Sequence, residues 1–157
     1  MKHNLALLDP LKDLADIDNL RTIVKGGSTR LPEGTVSVTG CGDSQKLHMI
    51  AGISPDVKCR IILTYDDLRA RAIADEFRLY DDNTFLFPAK DLIFFQSDIN
   101  SNDLTRDRVR AYRALLEKES LTIVTTFAAL MTKQVPVNND NVVITLKEGG
   151  SVNTAEI

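Results

Sequence analysis

The sequence predicts an α/β fold with a doubly wound, mainly parallel sheet and helices on both faces. Three observations predict it. Short β-branched runs alternate with helical patterns, which favours parallel pairing through right-handed crossovers. The runs are almost continuously apolar, as in a sheet covered on both faces. The chain has 157 residues, 43% of them hydrophobic, which suffices for one core without disulfides or metal.

Residues 1–34 are expected to form helices and a loop that pack on the first domain. Pro10 marks a break between two helical patterns, and Asp16 can cap the second helix. The glycines of Gly26-Gly27-Ser28 begin the loop. A helical apolar stripe runs through this region, with Pro10 as a break or a fresh start, and comprises Leu5, Leu8, Leu11, Leu14 and Ala15.

Residues 35–134 are expected to be the α/β domain itself. The predicted strands are 36–39, 60–64, 84–87 and 121–126. The predicted helices are 45–51, one capped by Asp66 or Asp67, one opened by the polar segment 98–103, and 127–131. Inward-facing residues are expected to be Leu68, Ala72, Ile73 and Phe77 in the second of these helices and Val109, Tyr112, Leu115 and Leu116 in the third. Phe85 and Phe87 are expected to flank their strand, one on each face.

Residues 135–157 differ in character from the preceding domain. Val135 to Asp140 is predicted to be a linker, Val142 to Leu146 a further strand, and Gly149-Gly150 a turn. We therefore expect a linker and the truncated start of a second, small domain.

Composition excludes several classes of protein. The net charge of −3 gives no overall electrostatic case for binding nucleic acid. Cys41 and Cys59 are too few for a disulfide framework and do not have zinc-motif spacing, and His3 and His48 are too far apart for a metal site. The apolar start of the chain is too short for a signal peptide or a membrane span, so a cytoplasmic location is expected. We predict no catalytic residue and no metal ligand.

The segment after the first predicted strand occupies the position of a phosphate-binding loop. Backbone N–H groups and the helix dipole converge on an anion at such a point. Measured against the motif G-x-x-x-x-G-K-[ST], Gly40 matches the first glycine and Lys46 matches the lysine. The loop consists of Gly40, Gly42, Asp43, Ser44, Gln45, Lys46 and Leu47.

The same loop lacks what ATP hydrolysis requires. Gln45 stands where the second glycine would let backbone approach phosphate, and Leu47 replaces the hydroxyl that binds Mg²⁺. Asp43 adds a negative charge, and the last strand ends in Thr125-Thr126 without an acidic pair. We expect a degenerate P-loop, RecA-like domain that binds no cofactor. The alternatives are an active nucleotidase or kinase with a divergent loop, and a regulatory domain that still holds nucleotide through Lys46 without Mg²⁺.

Several segments resemble the amino-terminal, UvrB-like region of the bacterial transcription-repair coupling factor family (Mfd). The loop resembles the family's Gly-x-Ser-Gln-Lys version, and the likeness extends over about residues 5–157. The segments that carry it are Gly42-Asp43-Ser44-Gln45-Lys46, Thr64–Ala70, Phe87–Phe95, Asp98–Asn100 and Thr122–Thr126. UvrB itself fits less well, because it needs an intact phosphate loop.

The resemblance implies a non-hydrolysing scaffold module of a larger DNA-repair protein. In that family the complete protein recognises stalled RNA polymerase and displaces it with a separate ATP-dependent DNA translocase. The UvrB-like portion recruits UvrA, mainly through the second domain, of which residues 135–157 would be the start. DNA and RNA polymerase would be contacted by other domains. No UvrA-contact residue can be assigned to this chain.

One helix carries a candidate basic surface. Arg106, Arg110 and Arg113 share one face of the predicted helix and could contact a polyanion or a partner. The alternative is a solvated face, because Asp103, Asp107 and Glu117 lie within one turn of these arginines.

Overall fold

The computed structural model describes residues 5–14, 16–26, 37–55, 57–89 and 98–132. The amino-terminal elements are α1 (Leu5–Leu8), a 3-10 helix (Asp9–Asp13) and α2 (Ile17–Gly26). The rest are α3 (Asp43–Ile53), β1 (Cys59–Thr64), α4 (Asp67–Phe77), β2 (Thr84–Phe87), α5 (Asp98–Glu117), β3 (Leu121–Thr126) and α6 (Phe127–Met131). No helix in these ranges is long and apolar enough to cross a membrane.

The described strands form one three-stranded parallel sheet in the order β1-β3-β2. Ile61 is in register with Ile123, and Leu86 with Val124. Each connection between consecutive strands carries a helix, as parallel pairing requires. The predicted α/β class and parallel pairing are therefore confirmed.

Two clusters of buried side chains place helices on both faces of the sheet. On one face, Ile62, Leu86 and Val124 pack with side chains of α3 and α4, including Leu47 and Phe77. On the other face the buried cluster consists of Phe87, Ala111, Leu121, Ile123 and Ala129, with Phe85 and Tyr112 against it. Every residue of β3 is buried because this strand is central and covered on both sides.

Predicted helix starts agree with the structure where a polar cap is present. The Asp66 carboxylate accepts a hydrogen bond of 2.6 Å from the Arg69 backbone N–H and caps α4. The Thr126 hydroxyl accepts one of 3.2 Å from the Ala129 N–H and caps α6. Each bond satisfies a backbone donor of the first turn that has no partner within the helix.

The strand predicted at 36–39 is not observed. Residues 37–39 lie outside any strand, and Val36 lies outside the described residues. The helix that follows is longer than predicted, Asp43–Ile53 rather than 45–51, because Gly42 acts as its N-cap. The linker and strand predicted within 135–157 also lie outside the described residues.

The predicted inward faces of two helices are right at some positions and wrong at others. In α4, Ile73 and Phe77 are buried as predicted, but Leu68 is 82% exposed and Ala72 is exposed. Ala70 and Ala74 join the core instead. In α5, Tyr112 is partly buried against Phe87 as predicted, whereas Val109 and Leu115 are 49% and 41% exposed. The buried positions of this helix are Arg108, Ala111 and Ala114. Alanines let a helix lie close to the sheet, so small side chains share these contacts with large ones such as Phe77.

The prediction that Phe85 and Phe87 point to opposite faces is also wrong. Residues two apart in a strand share a face, and both rings lie on the side that α5 covers.

At the amino terminus, Leu8, Leu11 and Ile17 are buried in the core cluster that α3 lines. Gly52 lets the Leu11 side chain approach so closely that a Cβ there would overlap the Leu11 methyl group. Leu14, predicted in the same stripe, is about half exposed.

Candidate phosphate-loop site

The candidate site is the segment Gly40–Leu47, which leads into α3. Gly40 has φ +80°, a left-handed conformation that favours glycine. Gly42 is the N-cap of α3 with extended backbone, φ −65° and ψ 166°. The first-turn N–H groups of α3 follow this glycine-containing segment, and residues 37–39 before it form no strand.

The side chain of Gln45 closes this end of the helix. Its Oε1 accepts a hydrogen bond of 2.8 Å from the Gly42 backbone N–H. The sequence predicted that Gln45 would obstruct approach to the backbone. In the structure the amide bonds directly to one of the donors that a phosphate would need.

The Asp43 carboxylate forms ion pairs with two cationic side chains near the loop. Its Oδ1 lies 3.2 Å from Lys46 Nζ, and its Oδ2 lies 2.6 Å from Arg69 Nη2 on α4. The hydrogen bond from Lys46, followed by the charge of Arg69, lowers the pKa of the Asp43 carboxyl. The lysine matching the motif is thus paired with an internal carboxylate, which also links α3 to α4.

Leu47 is turned into the core and not toward the loop. Its side chain is 4% exposed and belongs to the cluster beneath α3. An aliphatic group in this position offers no oxygen for Mg²⁺, which requires oxygen ligands. Within the described residues, no three His, Cys, Asp or Glu side chains come together as a metal cluster.

The end of β3, where a motor would carry its acidic pair, has two internally bonded threonines. Thr125 Oγ1 donates to the Phe87 carbonyl at 2.9 Å. Thr126 Oγ1 donates to Asp67 Oδ1 at 3.3 Å, and the same carboxylate oxygen lies 3.3 Å from the Ala89 N–H. These hydroxyls therefore hydrogen-bond the end of β3 to the end of β2 and to the first turn of α4.

The three arginines predicted to share a face of α5 have different surroundings. Arg113 Nε pairs with Glu117 Oε1 at 2.7 Å, as expected for a solvated face. Arg110 Nη1 lies 3.9 Å from Asp107 Oδ1, and Arg106 is exposed. Arg108, which was not singled out, is buried: it donates to the Pro88 carbonyl at 2.7 Å and lies over the Phe87 ring.

His48 has a structural role in the helix packing. Its Nε2 lies 2.6 Å from the Leu7 carbonyl oxygen, and its ring stacks on Tyr80 with centroids 5.5 Å apart. It therefore connects α1 to α3 and to the chain after α4.

Sequence reasoning missed a buried polar network beneath the sheet. Arg60 Nη1 lies 3.3 Å from Asp81 Oδ2 and donates to Thr122 Oγ1 at 2.6 Å, and Arg60 Nε donates to Ser54 Oγ at 2.8 Å. Burial lowers the pKa of Arg60, and the Asp81 carboxylate opposes that shift. An arginine inside an otherwise apolar strand was the signal that could have revealed it.

Comparisons with known proteins identify no relative. No family model, no curated protein and no solved structure matches the chain.

Proposed function

We propose that this chain is a non-hydrolysing, UvrB-like scaffold module of a bacterial transcription-repair coupling factor. The observation that carries the proposal is the self-closed phosphate loop, in which Gln45 bonds to Gly42 and Asp43 pairs with Lys46. One backbone donor of the segment and its lysine thus have partners within the segment itself. That arrangement is expected of a motor domain retained for its shape.

The chemistry of phosphoryl transfer supports this interpretation. Catalysis depends on positioning the phosphates and neutralising the charge that develops on them. Gln45 blocks a backbone donor, Asp43 repels a triphosphate, and Leu47 cannot bind Mg²⁺. Each of these residues therefore opposes either the positioning of the phosphates or the neutralisation of their charge.

The topology is compatible with a doubly wound motor fold. α3 and α4 share one face of the sheet, and the α4 connection runs from β1 toward β2. With right-handed crossovers, a strand that precedes α3 would lie on the opposite side of β1. Residues 37–39 form no strand and are exposed, so the described residues do not fill that place.

The proposed role is attachment and not catalysis. Within the parent protein, this module would help to join stalled RNA polymerase to nucleotide excision repair in the cytoplasm. UvrA would bind mainly through the second domain, and RNA polymerase and DNA through others. The parent's separate motor would supply the ATP-dependent translocation.

A nucleotide titration tests the loss of ATP binding. Calorimetry of the chain with ATP, with and without Mg²⁺, should give no measurable heat of binding at sub-millimolar concentration. Tight Mg²⁺-dependent binding would favour a divergent NTPase instead. Mg²⁺-independent binding that is lost in Lys46→Gln would favour a regulatory nucleotide-binding domain.

A genetic experiment tests the coupling role. Deletion of the gene should remove the faster repair of the transcribed strand while leaving repair of the non-transcribed strand unchanged. Repair of the two strands after ultraviolet irradiation can be measured separately in an expressed gene. Equal rates for each strand in the deletion and in the parent strain would refute the proposal.

A further inference from the structure

We draw no further inference here: the strongest candidate, the exposed apolar surface patch that Tyr65, Leu68, Phe127 and Met131 form where β1 leads into α4 and β3 into α6, carries nothing, because nothing in the described part of the chain shows what covers it.

Discussion

Replacing Asp81 by alanine should destabilise the fold far more than any exposed ion pair can. The carboxylate is buried, and it accepts from Thr122 Oγ1 at 2.8 Å and from the Asn83 N–H at 3.0 Å besides pairing with Arg60. Removing it leaves the Arg60 guanidinium buried without its counter-charge. Breaking a buried pair from one side costs about 3–5 kcal/mol.

That loss is a large share of the total stability of a domain, about 5–15 kcal/mol. For a chain of this size, each kcal/mol lowers Tm by about 2–4 °C. Asp81→Ala is therefore expected to melt roughly 6–20 °C below wild type. Urea unfolding followed by circular dichroism would give the free energy of unfolding directly.

Two control variants make the interpretation specific. Arg113→Gln removes an exposed pair with Glu117 and should cost about 0–1 kcal/mol. Arg60→Met with Asp81→Leu removes both buried charges and should be less damaging than Asp81→Ala alone. If Asp81→Ala lowered the free energy of unfolding no more than Arg113→Gln, the buried network would not stabilise the packing of β1 and β3 against the chain after α4.

Three further changes test the helix packing and the loop. Gly52→Ala should cost about 1–3 kcal/mol by forcing Leu11 away from α3, measurable by urea unfolding; an unchanged midpoint would show that this contact is not tight. Asp43 has a lowered folded-state pKa, so it adds stability above its unfolded pKa, and that stability is lost as the pH falls through the folded value. The free energy of unfolding of Asp43→Asn should therefore fall less than that of wild type between pH 6 and pH 3. Equal decreases would contradict a stabilising role for the ion pairs of Asp43 with Lys46 and Arg69. Gln45→Gly with Leu47→Thr should produce no ATP turnover in a phosphate-release assay, because β3 ends in threonines and not in the acidic pair that binds Mg²⁺. Detectable hydrolysis would show that this acidic pair is not required.

Local signals in the sequence were sufficient for most elements. The bounds of β2 and α6 and the cap at Asp66 agree with the structure, because turn residues, β-branched runs and polar caps act within a few residues. The inability of Leu47 to bind Mg²⁺ was also recognisable, since an aliphatic side chain offers no oxygen whatever its orientation. The buried helix faces were only partly predictable at that level. Periodicity identified large apolar side chains such as Ile73 and Phe77, but it missed alanines such as Ala70 and Ala111, which are also buried.

By itself, the sequence determined that this is an α/β chain with parallel strands, and that Leu47 offers no oxygen to Mg²⁺. Those properties follow from residue type and spacing along the backbone. Only the tertiary structure decided how the loop is closed, with Arg69 reaching Asp43 from another helix. It also decided that Arg71 of α4 approaches Asp107 of α5. Side chains far apart in the chain form ion pairs only after their helices have packed on a common sheet. Such pairs depend on distances between helices, which the local sequence pattern does not contain.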